Sequence, residues 1–180
     1  MAVVLRPITR DNWETAAKLE VREDQAGFVM SNVWSIAESQ FHPWTRPMAI
    51  YDGGTMVGFL VYGKDPNDGR YWLYRYMIDR RHQGKGHGKA GLRALIAQLR
   101  TLPDCTGITV GYQPDNVVAE RLYLGAGFVR GQPAPWGEST ARLEFRDPAD
   151  PGDGSTSEKD RKSFLDWPGP RDEWFRRWRE

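Results

Sequence analysis

A glycine-rich segment holds the residues of this chain that are best suited to bind an anion. Residues 80–90 read Arg-Arg-His-Gln-Gly-Lys-Gly-His-Gly-Lys-Ala, with glycine at positions 84, 86 and 88. Because glycine has no side chain, the backbone N–H groups of such a loop can approach a phosphate closely. A helix starting here would add the positive end of its dipole. Six Arg and Lys against one Asp between residues 79 and 100 give a local charge of +5. We therefore predict a phosphate-binding loop.

Two common phosphate-binding motifs do not describe this loop. The P-loop needs a hydroxyl residue after its lysine, but Ala90 follows Lys89. The dinucleotide motif needs GxGxxG, whereas the spacing here is GxGxG, and no acidic residue ends a strand about 20 residues further on. The residues alone therefore leave two alternatives, a phosphate site of another type or a glycine-rich turn that only starts a helix.

Hydrophobic periodicity predicts the elements that would position this loop. Alternating or continuous apolar runs indicate strands at 3–8, 48–51, 56–62, 71–79, 108–112 and 141–145. Helical spacing indicates helices at 11–20, 31–41, 88–100 and 116–124. Asp11 is expected to cap the first helix, and the strand at 56–62 is expected to be central because both of its faces are apolar. The sequence thus predicts a mixed α/β fold with the glycine loop between a strand and a helix.

A change of composition near residue 147 divides the chain. Residues 147–157 read Asp-Pro-Ala-Asp-Pro-Gly-Asp-Gly-Ser-Thr-Ser, which is typical of a linker. We predict a domain at residues 1–147 and a linker with an aromatic-rich C-terminal extension at residues 148–180. Disordered tails are poor in aromatic residues, so this extension is expected to dock on its own domain or on the partner in a homodimer. Its aromatic residues include Phe164, Trp167, Trp174, Phe175 and Trp178.

Charge and composition argue against several classes of protein. The 180 residues contain 25 Lys and Arg against 24 Asp and Glu, so the cationic excess of a nucleic-acid-binding domain is missing. No apolar run approaches the ~18 residues of a membrane span, and the N-terminus lacks the pattern of a signal peptide. Three scattered histidines and one cysteine predict no metal site. We expect a cytoplasmic protein that binds neither nucleic acid nor membranes.

Two segments together resemble the GCN5-related N-acetyltransferase (GNAT) superfamily. The acetyl-CoA loop of that family, [Q/R]-x-x-G-x-[G/A], is matched by Gln83, Gly86 and Gly88. A second family segment, N-x-x-A-x-x-[L/F]-Y-x-x-x-G-F, is matched about 30 residues downstream by Asn116, Ala119, Leu122, Tyr123, Gly127 and Phe128. The resemblance covers roughly residues 3–147. It implies the GNAT fold, a mixed, mostly antiparallel twisted sheet flanked by helices.

Within the superfamily, residues 69–89 are similar to the spermine/spermidine (diamine) N-acetyltransferase branch. The resemblance implies an acetyl-CoA-dependent N-acetyltransferase that acts on a primary amine, above all a small polyamine. It also implies that the main chain of Met77 and Ile78 pairs with the pantetheine arm and that the Met77 N–H stabilises the oxyanion. The other implied coenzyme-binding residues are Gln83, Gly84, Lys85, Gly86, His87, Gly88, Lys89 and Asn116.

Tyr123 is the predicted catalytic acid. The family resemblance places it where it would protonate the departing thiolate. Tyrosine has a pKa near ~10 and a thiol near ~8.5, so a modest lowering of the tyrosine pKa would allow the transfer. Without the surrounding motif, Tyr123 would be interpreted as an amphipathic residue packed on its helix.

The general base is not identified by the sequence. The polyamine branch often carries a carboxylate where this chain has Tyr74. The replacements considered are a chain of water molecules and five carboxylates, namely Glu20, Glu23, Asp24, Glu38 and Asp79.

His87 is interpreted as a polar spacer within the loop. Four tryptophans, Trp34, Trp44, Trp72 and Trp136, could form a cage for an alkylammonium group, but the favoured interpretation is that they fill the core and interfaces.

Other functions remain open at this point. The acceptor could be an antibiotic amine or a protein amine. The domain could also bind coenzyme A as a regulatory module without turnover. A role in protein or nucleic-acid binding centred on the extension is less favoured, because residues 151–180 contain seven acidic and seven basic side chains.

Overall fold

The computed structural model describes residues 3–145, and its strands form a single sheet of seven strands. In chain order they are β1 (Val3–Pro7), β2 (Thr45–Asp52), β3 (Thr55–Lys64), β4 (Tyr71–Ile78), β5 (Gly107–Tyr112), β6 (Val129–Arg130) and β7 (Ser139–Glu144). Their order across the sheet is β1-β2-β3-β4-β5-β7-β6. Each neighbouring pair is antiparallel except β4 and β5, which are parallel. The predicted mixed, mostly antiparallel fold is confirmed.

In the described part of the chain, residues 3–145, four α-helices cover the sheet. They are α1 (Trp13–Ala17), α2 (Asn32–Ser39), α3 (His87–Leu99) and α4 (Val117–Leu124), with a short 3-10 turn at Glu23–Gln25. Leu92, Leu95 and Leu99 of α3 are fully buried against one face of the sheet. Ala16 of α1 packs with Phe59 of β3 in a second apolar cluster. Residues 56–63 of β3 are buried in an unbroken run, as predicted for a central strand.

Helix starts follow the local capping chemistry. The Ser31 side chain accepts a hydrogen bond from the Trp34 amide (3.2 Å) at the start of α2. The predicted capping of α1 by Asp11 is wrong, because the helix begins after Asn12 and ends at Ala17. The Asn12 side chain instead accepts from the Thr9 amide (2.8 Å), which closes the turn before the helix.

An irregularity in β4 determines the shape of the sheet around the site. Val61 of β3 pairs with Arg75, but the next residue, Tyr62, pairs with Leu73. Tyr74 is therefore the extra residue of a β-bulge, and a bulge bends the strand that contains it. The parallel pairing of β4 with β5 covers only Tyr71–Leu73. Beyond this point the two strands separate, and the β5-facing edge of β4 has no strand partner within residues 3–145.

The predicted domain boundary at 147 and the aromatic extension at 148–180 lie outside the described residues. The predicted strand at 141–145 is confirmed as β7. The two-residue strand β6 was not predicted, since two residues carry no detectable periodicity. Within residues 3–145, no helix is long and apolar enough to cross a membrane.

Asp79 anchors the chain as it leaves β4. Its buried carboxylate accepts hydrogen bonds from the Glu20 amide (3.2 Å), the Arg81 amide (3.0 Å) and the Arg81 Nε (2.7 Å). Burial by itself would raise the pKa of this carboxyl group. The hydrogen bonds from Arg81 and Glu20 and the Arg81 charge outweigh it, so the pKa lies below its ordinary value. Asp79 thus holds the start of the glycine loop against the segment after α1.

We expect Asp79→Asn to lower the free energy of unfolding by about 2–3 kcal/mol at pH 7, because hydrogen bonds to a buried charge are lost. A carboxyl group with a lowered native pKa stabilises the fold above its unfolded pKa of about 3.9, and this contribution disappears as the pH falls through the native pKa. Urea unfolding at pH 7 and at about pH 3 should therefore show a difference from wild type that shrinks in acid. The exposed Asp104→Asn serves as control. An equal loss at both pH values would contradict the role of the Asp79 charge.

Candidate active site

A cavity of about 660 Å³ opens where β4 and β5 separate. Its volume lies within the range of small-molecule sites, about 300–1,000 Å³. One wall consists of residues 73–76 of β4, and the opposite wall consists of residues 111–113 at the end of β5 together with α4. Side chains from α2 and from the loop before β7 complete the lining, among them Trp34, Glu38, Phe41 and Glu138.

Tyr123 of α4 lines this cavity and is buried. Its ring lies 5.7 Å from that of Tyr112 and 5.6 Å from that of Phe128, measured between centroids. Burial raises the pKa of Tyr123 well above its ordinary value, and the negative charge of Glu138 and the Tyr112 phenol raise it further. The lowered tyrosine pKa considered from the sequence is therefore wrong for this structure. A phenol with a raised pKa keeps its proton at neutral pH, and a role of Tyr123 as proton donor stays a prediction.

The glycine loop lies at the open end of β4 and starts α3. Gly84 and Gly86 have φ angles of +75° and +84°, which favour glycine. A Cβ atom at either position would meet nothing within 4 Å, so this surface is open. The first helical hydrogen bond runs from the Ala90 amide to the Gly86 carbonyl (3.0 Å). The amides of residues 87–89 are thus left without a helical acceptor, which is the arrangement that binds phosphate.

Three side-chain contacts hold the loop in place. Gln83 donates from Nε2 to the side chain of Gln25 (2.7 Å) and to the Ile78 carbonyl (2.9 Å). The Tyr76 hydroxyl donates to the Gly88 carbonyl (2.6 Å) in the first turn of α3. The loop is therefore fixed to β4, which forms one wall of the cavity, and to the segment before α2.

His87 occupies a different position from the polar spacer that the sequence suggested. Its ring is buried, with Nδ1 2.9 Å from the His82 carbonyl and Nε2 3.1 Å from Oδ2 of Asp52. Because a carbonyl oxygen only accepts hydrogen bonds, Nδ1 carries a proton and donates a hydrogen bond to the His82 carbonyl. His87 thus joins the loop to the hairpin between β2 and β3. Because its side chain is occupied by His82 and Asp52, the backbone amide of His87 is the group that remains for a ligand.

The basic side chains near the loop are partly neutralised. Arg80 pairs with Glu20 (3.2 Å), and Arg81 pairs with Asp79 (2.7 Å). Lys85 donates to the Arg81 carbonyl (2.9 Å). The positive field at the loop is therefore weaker than the sequence count of +5 indicates, and the backbone amides take a larger share of any phosphate binding.

Asn116 has a structural task as well as a place in the cavity wall. Its Oδ1 accepts a hydrogen bond from the Ala119 amide (3.0 Å) and so caps α4. The cap fixes the start of the helix that carries Tyr123. Contact of Asn116, Met77, Ile78, Lys89 and the loop with a coenzyme stays a prediction.

Of the five carboxylates considered as base, Glu38 alone lines the cavity. It pairs with Arg75 of β4 at 3.6 Å, and both side chains are largely buried. Asp24 pairs with Arg22 at 2.8 Å on the surface. Tyr74, which replaces the carboxylate of the polyamine branch, donates from its hydroxyl to the buried Asp65 (2.9 Å).

Glu138 is the site residue that the sequence analysis missed. It lines the cavity just before β7, and its Oε2 accepts a hydrogen bond from the Trp136 Nε1 (2.8 Å). A Cβ atom at Gly111 would collide with the same oxygen. No sequence motif marks Glu138, since its position depends on the pairing of β5 with β7.

The tryptophans divide between core and cavity. Trp72 is buried and donates from Nε1 to Asp68 (2.9 Å), as core packing predicts. Trp34 is 57% exposed on α2 and lines the cavity together with Phe41, so it does not belong to the core, and its packing at an interface stays a prediction. In the described part of the chain, no group of three or more His, Cys, Asp or Glu side chains is arranged to hold a metal ion.

Comparison with known proteins gives the following matches. A family model described as "Acetyltransferase (GNAT) family" matches residues 9–128, a range that includes both motifs. The chain is 34% identical over 134 residues to the spermine/spermidine N(1)-acetyltransferase of Bacillus subtilis (strain 168), covering 71% of this chain and 88% of that protein.

Two solved structures show the same fold. An aminoglycoside acetyltransferase in complex with coenzyme A has a TM-score of 0.67 at 20% identity, over 79% of this chain and 94% of that one. An acetyltransferase from Thermus thermophilus has a TM-score of 0.61 at 16% identity, over 81% and 98%.

We expect Gly86→Val to weaken coenzyme A binding by at least about tenfold, because the new side chain would cover amides that are now open. Valine at a positive φ also strains the backbone, so a matched control is needed. Gly69→Val supplies it, since Gly69 has a φ of +67° and open space around its Cβ position but lies at the other end of β4. Calorimetric titration of both folded variants measures the effect. Equal affinities would mean that the loop is not the coenzyme site.

Proposed function

Because this chain belongs to the acetyltransferase (GNAT) family, we propose that it transfers the acetyl group of acetyl-CoA to a primary amine and that small polyamines are its preferred acceptors. The observation that carries the proposal is the cavity at the separation of β4 and β5. It combines an open strand edge, a glycine loop with free amides, a buried tyrosine and an acidic lining.

The coenzyme would bind along the first wall of this cavity. Its pyrophosphate would contact the backbone amides between Gln83 and Lys89, and its pantetheine arm would follow the unpaired edge of β4 at Met77 and Ile78. The Met77 N–H would then stabilise the oxyanion of the tetrahedral intermediate. Asn116 would contact the arm from the side of α4. The open surface at Gly84 and Gly86 supports this assignment.

The charge of the cavity favours a cationic acceptor. Glu38 and Glu138 line it against a single cation, Arg75, so its formal charge is negative. Trp34 and Phe41 add aromatic faces, which attract alkylammonium groups. A polyamine is extended, flexible and multiply cationic, and it suits such a lining better than an acidic or neutral acceptor. The name of the Bacillus subtilis relative, a spermine/spermidine N(1)-acetyltransferase, agrees with this choice.

The reaction requires a neutral amine and a proton for the leaving thiolate. The amine nitrogen attacks the thioester carbonyl, the tetrahedral intermediate collapses, and the thiolate of coenzyme A departs. Tyr123 would give its proton to that thiolate, which a buried and protonated phenol can do. The raised pKa of Tyr123 keeps the donor protonated, but it also means that the donor needs a local change before transfer becomes favourable.

The acceptor is tested by acetyl-CoA-dependent release of thiol over a panel of amines. We expect the highest kcat/KM with spermine or spermidine, because a cationic alkyl chain can use the net negative charge and the aromatic faces of the lining together. Aminoglycosides and N-terminal peptide amines form the other arms of the panel. A preference for either would replace the polyamine assignment, and coenzyme binding without turnover on any amine would favour a regulatory module.

Tyr123→Phe tests the catalytic acid. The substitution keeps the aromatic contacts with Tyr112 and Phe128, so coenzyme affinity and melting temperature should stay close to wild type. Loss of the proton donor should lower kcat by about 10²–10⁴-fold, with little change in the KM for the amine. Tyr112→Phe, which removes a neighbouring phenol, is the matched control. A Tyr123→Phe enzyme that retains most of its kcat when chemistry limits the rate would exclude this role.

A further inference from the structure

We propose that Glu138 is the general base, the group that takes the proton of the acceptor ammonium, and that Gly111 makes room for its carboxylate. This inference rests on the proposed amine acetylation. It assigns the role of base, which is left open because Tyr74 stands where the polyamine branch often carries a carboxylate.

Glu138 is held in place by the loop that carries it. The Glu138 carbonyl accepts a hydrogen bond from the Ala134 amide (2.8 Å), and the Ala134 carbonyl accepts from the Gly137 amide (2.9 Å). Gly137 makes this tight turn with a φ of +95°. The Trp136 indole then binds Oε2 of the carboxylate. These bonds orient the side chain before any ligand arrives, as a proton acceptor in a catalytic site requires.

The absence of a side chain at Gly111 lets the carboxylate sit against β5. Gly111 lies in the part of β5 that has separated from β4, and a Cβ there would overlap Oε2 of Glu138. The carboxylate therefore lies on the wall of the cavity opposite the open edge of β4. An acceptor amine between the two walls would have the carboxylate on one side and the coenzyme on the other.

Glu138 differs from Glu38 in its partners. The charge of Glu38 is compensated by Arg75 across the cavity. Within residues 3–145, the Glu138 carboxylate has one hydrogen bond, from Trp136, and no salt bridge. Glu138 lines the cavity together with Tyr112 of β5 and Tyr123 of α4, and its charge acts on the Tyr123 phenol. An ammonium group is the partner that this carboxylate can still accept.

The proton balance of the reaction then closes with Glu138, Tyr123 and solvent. The ammonium gives one proton to Glu138 and becomes a neutral amine, which attacks the thioester. The tetrahedral intermediate collapses, and Tyr123 gives one proton to the departing thiolate. The proton released from the new amide nitrogen restores Tyr123 through solvent, and Glu138 releases its proton to solvent, which is the one proton that each turnover produces. The negative charge of Glu138 raises the pKa of Tyr123. Protonation of Glu138 removes that charge, so the first proton transfer makes Tyr123 a better acid for the second.

Glu138→Gln tests the base directly. The glutamine oxygen can still accept from Trp136, so the fold and the coenzyme affinity should be retained. With spermidine at pH 7, kcat/KM should fall by about 10²–10⁴-fold. The defect should shrink as the pH approaches about 10, where the amine loses its proton without help. It should also shrink with a β-fluorinated analogue of the amine that is already neutral at the assay pH.

Two further variants separate chemistry from structure. Glu138→Asp should restore part of the activity, because it restores a carboxylate. Gly111→Ala should reproduce the defect with Glu138 intact, since the new methyl group displaces the carboxylate. Glu144→Gln, an exposed position on β7 that pairs with Arg142, is the control and should behave as wild type.

The outcomes distinguish this inference from the proposed function. A wild-type enzyme that acetylates no amine would overturn the proposed function and the base together. Wild-type turnover with an unaffected Glu138→Gln enzyme would overturn the base alone. A Glu138→Gln defect of the same size at every pH and with both amines would also overturn it, because it would show that Glu138 acts only in binding or packing.

Discussion

The separation of β4 from β5 is the constraint on which the rest of the site depends. The strands pair at Tyr71–Leu73 only, and the bulge at Tyr74 turns the remainder of β4 away. A sheet normally satisfies its backbone groups through neighbouring strands, so this gap leaves polar edges that need another partner. The cavity, the exposed edge and the position of α4 all follow from it. A ligand with amide groups of its own, such as a pantetheine arm, can supply the missing strand.

Side-chain hydrogen bonds between residues distant in sequence hold the glycine loop in place beside the cavity. Gln83 hydrogen-bonds to Gln25, and His87 hydrogen-bonds to Asp52, so the glycine loop is connected to the segment before α2 and to the hairpin between β2 and β3. Preorganised groups of this kind cost little to arrange when a ligand binds. The same burial that fixes Tyr123 also raises its pKa, and the charge of Glu138 adds to this effect. In the base role proposed for Glu138, its protonation would remove that added effect.

The sequence predicted the features that arise from local patterns. Apolar periodicity located the long strands and α3, and the spacing of Gln83, Gly86 and Gly88 located the loop. Prediction from the sequence failed where a residue's position depends on contacts with residues distant in the chain. Asp11 is a good capping residue, but Asn12 starts α1 instead. Nothing near Glu138 indicates that it meets the wall of β5, because that contact depends on the register of β5 with β7 and on the missing side chain at Gly111. Trp34 similarly lies at a cavity that forms only when the strands separate.

Hydrogen–deuterium exchange with and without coenzyme A is the most direct test of the central claim, that the gap between β4 and β5 and the adjoining loop bind the coenzyme. Peptides covering residues 74–78 and 83–89 should exchange more slowly when coenzyme A is present, because the unpaired amides gain acceptors. Peptides from β2, which is already paired on both sides, should not change. Protection confined to another part of the sheet, or none in these two segments under saturating coenzyme, would contradict the account.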